Sequence, residues 1–469
     1  MRERIETENV IFGIVVALAV CITFVMGWLV YSTPRTNPET TLRILSPSVP
    51  ESLGIQRRLN TEFRKIHPEI DIEIISFPWQ SLYRKLEFMI VAGIPPDLTG
   101  IEQPILPKFI YLGVVEPLDD WIRNDPGFDA STLFAKCMDE GSWDGIQYAI
   151  PNVVSPVCLW YNKTLFDREG LAYPNKEWTF VDLVENSRTL TKDLDGDGIL
   201  DQYGFYTNNN HWNRYPCWVW MMGGEFMSPD QKKCLFDTPQ TMHAIQWLAN
   251  LALKERVMPS WTFLSTIGSP TLFLGGRLAM TTETRYFLQS FFLERYKEQI
   301  KPFDWDVCEL PHDKGRATTF ICGLNIIPKT ISRERKKMAW EYMKFLSSET
   351  GQEVYGQMNT ALPCRIESAE KLVRHPGKPP ENDRAFIEAI PYARYFYWPF
   401  PSDEAFAAAR SEFAGVWNGQ LAVEDVCRKV SYDITKSVEN FMLIHPEAHL
   451  PVKTKWIPFD ERAVSPMEP

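Results

Sequence analysis

A two-lobed α/β protein is the expectation set by three features of the chain. Strands alternate with helices from residue 41 onward, the length is 469 residues, and 45% of residues are hydrophobic against 23% charged. Alternation implies a largely parallel sheet covered on both faces. A single core rarely grows past roughly 250–300 residues, so this length divides into two bodies. The composition is that of a globular protein. The formal net charge of -11 argues against a nucleic-acid partner, which calls for a basic surface.

The chain opens with a short head, 1–9, followed by an uncharged run, 10–31, VIFGIVVALAVCITFVMGWLVY. At about 1.5 Å per residue this run spans roughly 33 Å, enough for a bilayer core. Trp28 and Tyr31 stand where amphipathic rings favour the interface. Cleavage after Ala17-Leu18-Ala19 would leave a bare apolar stretch, and Val20 is bulky for a lipoprotein box ending at Cys21. An uncleaved single-pass transmembrane anchor is the reading adopted, with the large domain outside the cytoplasm. Residues 32–40 are a polar linker.

Leu42 to Leu45 reads as the first strand. Leu53 to His67 reads as a helix whose Ile55, Leu59, Phe63 and Ile66 share one face, stopped by Pro68. Ile70, Ile72 and Ile74 alternate with acidic residues as a strand does. A second helix over Ser81–Ala92 turns Leu82, Leu86, Met89 and Ile90 inward and stops at Gly93. Leu98–Ile101 is the third strand. Ligands of such sheets bind outside the carboxyl ends of the strands, which places the loops at Ser46–Pro50, Phe77–Gln80 and Glu102–Pro104 on one rim. Trp143-Asp144-Gly145 reads as a hairpin turn into Ile146–Ile150. Further helices are expected over Thr238–Lys254 and Arg333–Ser347. Val426, Val430, Ile434, Val438 and Phe441 mark one face of a last helix.

Eight cysteines outside the apolar run are widely spaced, with no CxxC pair and no Cys/His cluster, so their spacing gives no zinc site. Scattered buried thiols are the expectation. The 16 Trp could stack on sugar faces or fill cores. Nucleophile-elbow, P-loop, GxGxxG and HExxH motifs are absent from the sequence.

Several segments, in order, resemble the family 1 extracellular solute-binding proteins of ABC importers, the maltose-binding-protein-like group. They are residues 42–101, with their "HP-x-I" turn and "AG-x-PPD" stretch, YAIPNVVSPVCLWYNKTLFDREGL at 148–171, and MMGGEF at 221–226. LFLGGRLAM at 272–280, FICGLNIIPK at 320–329 and VWNGQLAVEDVCRKV at 416–430 complete the set. The resemblance implies a periplasmic-binding-protein-like fold of class II. Its first lobe would take about 41–149 and 314–362, its second about 150–313 and 363–450, with 451–469 as a tail. The crossings are expected near Ala149–Pro151 and Pro311–Thr318. Function in such a fold is hinge closure on a ligand that touches both lobes.

A sugar offers apolar C–H faces and hydroxyls that donate and accept, so its site needs aromatic plates and planar polar groups. Carried over by resemblance, the ligand-binding candidates are Ser48 after the first strand, Trp79 after the second, and Glu102 and Gln103 after the third. Ser155 follows the crossing, where some relatives carry an acid. His211, Trp212 and Asn213 lie on a loop that covers ligand in relatives. Glu283 and Tyr286 follow LFLGGRLAM, with Tyr286 where Trp is frequent. Phe406 and Arg410 stand one turn apart on a late helix, Ser402–Val416. Catalytic residues are not expected.

Asp193, Asp195, Asp197 and Asp201, with Gly198, follow the first nine places of an EF-hand calcium loop. The twelfth place, normally a bidentate Glu, is Gly204. A structural calcium ion is the only cofactor the sequence suggests. The expected function is capture of a sugar or oligosaccharide and delivery to ABC importer permease subunits, by a monomer tethered to the lipid bilayer. A tethered glycan sensor of the same fold and a glycoside-active enzyme, which would need two flanking carboxylates, are the alternatives.

Overall fold

The computed structural model describes residues 39–453, apart from 210, 212, 292–297, 299, 358–360, 375–378 and 398–402. The expected anchor at 10–31, Trp212 and most of the expected tail lie outside the described residues. Among those described, no helix is long and apolar enough to cross a membrane.

Strand β1 (Thr41–Pro47) pairs in parallel with β2 (Asp71–Phe77) on one side and with β3 (Leu98–Ile101) on the other. The helices Pro50–Ile66 and Trp79–Val91 connect them. The first buries Leu59 and Phe63, the latter against Tyr342 and Phe345 at centroid distances of 4.8 and 5.4 Å. Ile66 departs from the expected inward face and is 60% exposed. His67, four residues past Phe63, takes the inward place and stacks on its ring at 4.8 Å. In the second helix Leu82, Leu86 and Met89 are buried as the pattern requires.

The hairpin at 142–147 forms as read: β4 (Ser142–Trp143) and β5 (Ile146–Gln147) are joined by Asp144 and Gly145 at φ of 50° and 75°. Positive φ at both central residues is the type I′ requirement that Asp-Gly meets.

Strand β6 (Ile150–Asn162) is the spine of the molecule. Its first half lies antiparallel to β10 (Thr318–Ile326), from Asn325↔Ile150 to Phe320↔Pro156, and β10 pairs in turn with β3. From Val157 onward β6 exchanges that partner for β8 (Leu278–Thr284) and β9 (Trp305–Cys308), and β7 (Tyr203–Tyr206) adds in parallel to β8. The exchange falls at Pro156–Val157, beyond Ala149–Pro151. Two short strands also join: β11 (Leu362–Pro363) pairs β6, and β12 (Ala393–Arg394) pairs β10. A sheet that changes partner along one buried strand produces two lobes with a shared seam. Twelve of the thirteen β6 residues are buried, which explains its almost continuous apolar run.

Most tryptophans serve the core. Trp143, Trp160, Trp218 and Trp417 are fully buried, with Trp160 stacked on Trp305 at 5.0 Å. The helices Pro239–Leu253 and Arg333–Ser347 form where the periodicity places them. The last helix, Val423–Ile444, buries Val426, Val430, Ile434 and Val438, while Phe441 is half-buried.

Candidate ligand site

Because β1, β2 and β3 run parallel, their carboxyl ends share one rim of the first lobe. Ser48 is exposed there, its backbone N–H donating to the Phe77 carbonyl at 2.9 Å. Trp79 is 41% exposed, unusual for an indole, and its ring lies 6.1 Å from that of Tyr83. The backbone N–H of Glu102 donates to the Tyr83 hydroxyl at 2.9 Å. The Glu102 carboxyl is half-buried, and burial pushes its pKa up to about 7. No hydrogen bond or ion pair holds that carboxyl among the described residues. Burial raises the hydroxyl pKa values of Tyr83, Tyr286 and Tyr395, and the charge of Glu102 adds to each. These tyrosines come from three distant segments: the helix after β2, the end of β8 and the turn after β12.

Gln103 faces inward. Its side chain accepts from the Cys322 backbone N–H at 2.8 Å and donates to Glu140 at 2.9 Å, so it ties the rim to β10. Ser155 is fully buried in β6, its hydroxyl accepting from the Arg285 backbone N–H at 2.8 Å. Both side chains are spent on the fold and present no open surface. Arg285, which sequence reasoning passed over, makes a buried two-pronged pair with Asp383 at 2.9 and 2.7 Å.

The second-lobe rim is assembled from the 207–216 loop, the end of β8 and the helix Asp403–Trp417. Glu283 is 8% exposed; one oxygen accepts from Arg214 at 2.6 Å and the other from the Ser269 hydroxyl at 3.3 Å. Asn213 is buried, its side-chain oxygen accepting from Arg214 at 2.6 Å and its carbonyl from Thr319 at 2.6 Å. His211 is half-buried, and burial with the charges of Arg214 and Arg410 drives its pKa down to about 3. Asn209, Tyr215, Phe406, Arg410 and Trp417 line a cavity of about 10 Å³, room for one water and far too small for a sugar. Phe406 is buried at 2% exposure, 5.1 Å from Phe396, while Arg410 reaches solvent. The fold thus gathers Glu102 with Tyr286, Asn213 and Glu283 around Arg214, and His211 within the fields of Arg214 and Arg410. Tyr83, Tyr395 and Arg214 join them unforeseen. Arg214 directly follows the expected His-Trp-Asn run, which was the available signal for it.

The acidic turn between the helix Phe180–Leu190 and β7 brings one oxygen each of Asp193, Asp195 and Asp197 within 4.8 Å of one another, all exposed. Asp193 accepts from the backbone N–H groups of Gly196 and Gly198, both at 2.8 Å. Asp201 is outside this trio: it accepts from the Leu194 N–H at 2.8 Å and faces Arg277 at 3.9 Å. Gly204, the loop's twelfth place, is inside β7, where a Cβ would sit 2.0 Å from the Ser187 carbonyl oxygen. A ligating side chain at that place is therefore sterically excluded.

All eight cysteines of the described region are buried and unpaired. Spacing gave no reason to group them, yet the fold brings Cys137, Cys322 and Cys364 together, with their sulfurs within 4.8 Å of one another. Burial would raise the Cys137 thiol, but contacts from the thiols of Cys322 and Cys364 outweigh it and bring the pKa to about 6. Beside them Glu140 is fully buried among Gln103, Tyr397, Lys136 and Lys453.

A two-lobed α/β body seamed by β6 and β10, with a polar and aromatic rim on each side, defines a binding protein that grips a small solute. Residues 46–353 match the family model for bacterial extracellular solute-binding proteins, and the chain belongs to that family. A binding protein of Brucella abortus (strain 2308) is 24% identical over 382 residues, covering 80% of this chain and 88% of its own. The maltotriose-binding protein of Pyrococcus abyssi is 30% identical over 117 residues, 25% of this chain and 24% of its own. Among solved structures, an ABC substrate-binding protein of Listeria monocytogenes in complex with cycloalternan superposes with a TM-score of 0.73 at 24% identity. It covers 85% of this chain and 99% of its own. The sugar-binding protein MalE of Xanthomonas citri gives 0.72 at 18% identity, covering 87% and 100%.

Proposed function

We propose that the protein captures a neutral saccharide between its lobes and hands it, chemically unchanged, to the permease subunits of an ABC importer. The observation that carries this reading is Glu102. A half-buried carboxyl without a protein partner among the described residues, whose charge reaches the hydroxyls of three tyrosines, is an acceptor awaiting hydroxyls beside aromatic side chains. The opposite rim carries Arg214 and Arg410. A cationic ligand would meet these arginines and an anionic one would meet Glu102, whereas a polyol suits both rims. The structural relatives solved with cycloalternan or called sugar-binding support the ligand class. A sugar enters by parting of the lobes about the seam.

In this reading residues 10–31 tether a monomer to the lipid bilayer with the large domain outside. Asp193, Asp195 and Asp197 hold a calcium ion that braces the second lobe. The test of the central claim is a thermal-shift series with maltose, maltotriose and cyclic glucans. At least one raises the melting midpoint as its concentration rises, since a ligand bound only by the folded state stabilises it. Nucleotides leave it unmoved. A flat response to every saccharide refutes the sugar assignment and leaves the fold standing. Release of cleavage products from the same sugars would instead indicate an enzyme.

A further inference from the structure

We propose that Cys137, Cys322 and Cys364 form an all-thiolate, three-coordinate site for a soft monovalent cation, copper(I). The three sulfurs come from separate places: the helix Ala135–Glu140, strand β10, and the residue after β11. Exposures are 0%, 1% and 0%, and the sulfurs lie mutually within 4.8 Å. With metal–sulfur bonds of about 2.3 Å, three sulfurs around a planar centre stand roughly 4 Å apart. Closing onto an ion therefore asks for less than about 1 Å of adjustment.

The geometry favours a metal over a disulfide. Strands β10 and β11 flank β6 on opposite sides, with Cys322 and Leu362 both opposite Val154. Two strand spacings put their backbones roughly 9–10 Å apart, beyond what a disulfide bridges. A bond from Cys137 to either one would leave the third sulfur stranded. Zinc in a closed site wants four ligands. Among the described residues no further Cys, His or carboxylate completes the cluster. One oxygen of the nearby Glu140 accepts from Gln103 and Tyr397, and the other faces the Lys136 ammonium at 3.4 Å, outside the sulfur cluster. Three soft sulfurs without nitrogen or oxygen suit copper(I).

Binding exchanges the protons the three thiols still carry, released to solvent, for one copper ion that stays at +1. The ammonium groups of Lys136 and Lys453, whose fields reach Cys137 and Cys322, face the resulting negative charge. Since Cys322 and Cys364 lie on either side of the first half of β6, ahead of its change of partner, the ion would brace the first lobe beside the seam.

The test titrates copper(I), without oxygen, into reduced full-length protein in detergent against the chromogenic chelator bicinchoninate. One equivalent is retained, with thiolate-to-copper absorption in the near ultraviolet. Cys322→Ser and Cys364→Ser each lose it, while Cys427→Ser, buried elsewhere on the last helix, keeps it. X-ray absorption on the loaded wild type needs no variant to fold, and it shows three sulfur neighbours. The proposal is overturned if copper passes wholly to the chelator, if nitrogen or oxygen appears in the shell, or if zinc(II) is held in preference. It is equally overturned if protein purified without reductant carries a disulfide among the three.

Discussion

The two rims treat a buried carboxyl in opposite ways. On the second lobe, Glu283 gives one oxygen to Arg214 and the other to Ser269. On the first lobe, Glu102 is half-buried, yet its carboxyl has no partner among the described residues and burial raises its pKa to about 7. A buried charge is tolerated when paired and costly when not. Glu283 therefore acts as scaffold. Glu102 keeps an unmet hydrogen-bonding capacity that a ligand can use, and the resting protein carries the cost.

The largest expected effect comes from making Glu283 resemble Glu102. Arg214→Leu strands a nearly buried carboxylate and lowers stability by about 3 kcal/mol at pH 7, read by urea unfolding. A variant as stable as wild type would show that the pair contributes nothing and erase the contrast.

Next is Glu102 itself. Its folded pKa of about 7 lies above the ordinary 4.5, so the folded state holds the proton more tightly and stability falls as pH rises from 4.5 through 7. The loss amounts to about 3 kcal/mol at most. Glu102→Gln removes that slope, stabilises the protein at pH 8 and weakens saccharide binding about tenfold or more. Parallel melts from pH 4.5 to 8 and calorimetric titration check both parts. An unchanged slope would place the carboxyl in water.

His211 supplies the mirror image. Its pKa of about 3 lies below the ordinary 6.5, so the folded state keeps it neutral and stability falls as pH drops from 6.5 toward 3. His211→Gln flattens this acid limb, whose full depth is at most about 5 kcal/mol. Where the windows overlap, from 4.5 to 6.5, the slopes of Glu102 and His211 oppose each other, so the double variant should match wild type in slope there while lying above it in stability, because both burial penalties are removed.

The smallest change in stability is expected at Trp79, whose ring is already 41% exposed. Trp79→Ala shifts folding by less than about 0.5 kcal/mol yet costs saccharide affinity several-fold if the indole is a platform. Removing calcium with a chelator should lower the melting midpoint slightly. No shift would leave the acidic turn as a plain solvated loop.

What the sequence determined by itself was local. Apolar periodicity identified the helices at 239–253 and 333–347, alternation and the Asp-Gly turn identified strands and hairpin, and ordered motifs identified the family. Such signals depend on neighbours a few residues away, and they failed at Ile66, where a helix end let His67 take the inward place. Only the tertiary structure decided which side chains were already spent. Gln103 is held by β10 from 219 residues away, Arg285 by Asp383 from 98 away, and three cysteines meet beside β6 in a cluster that no spacing rule could reveal. The reason is physical: hydrogen-bonding capacity is used up by groups that folding brings close, and the sequence does not record that distance.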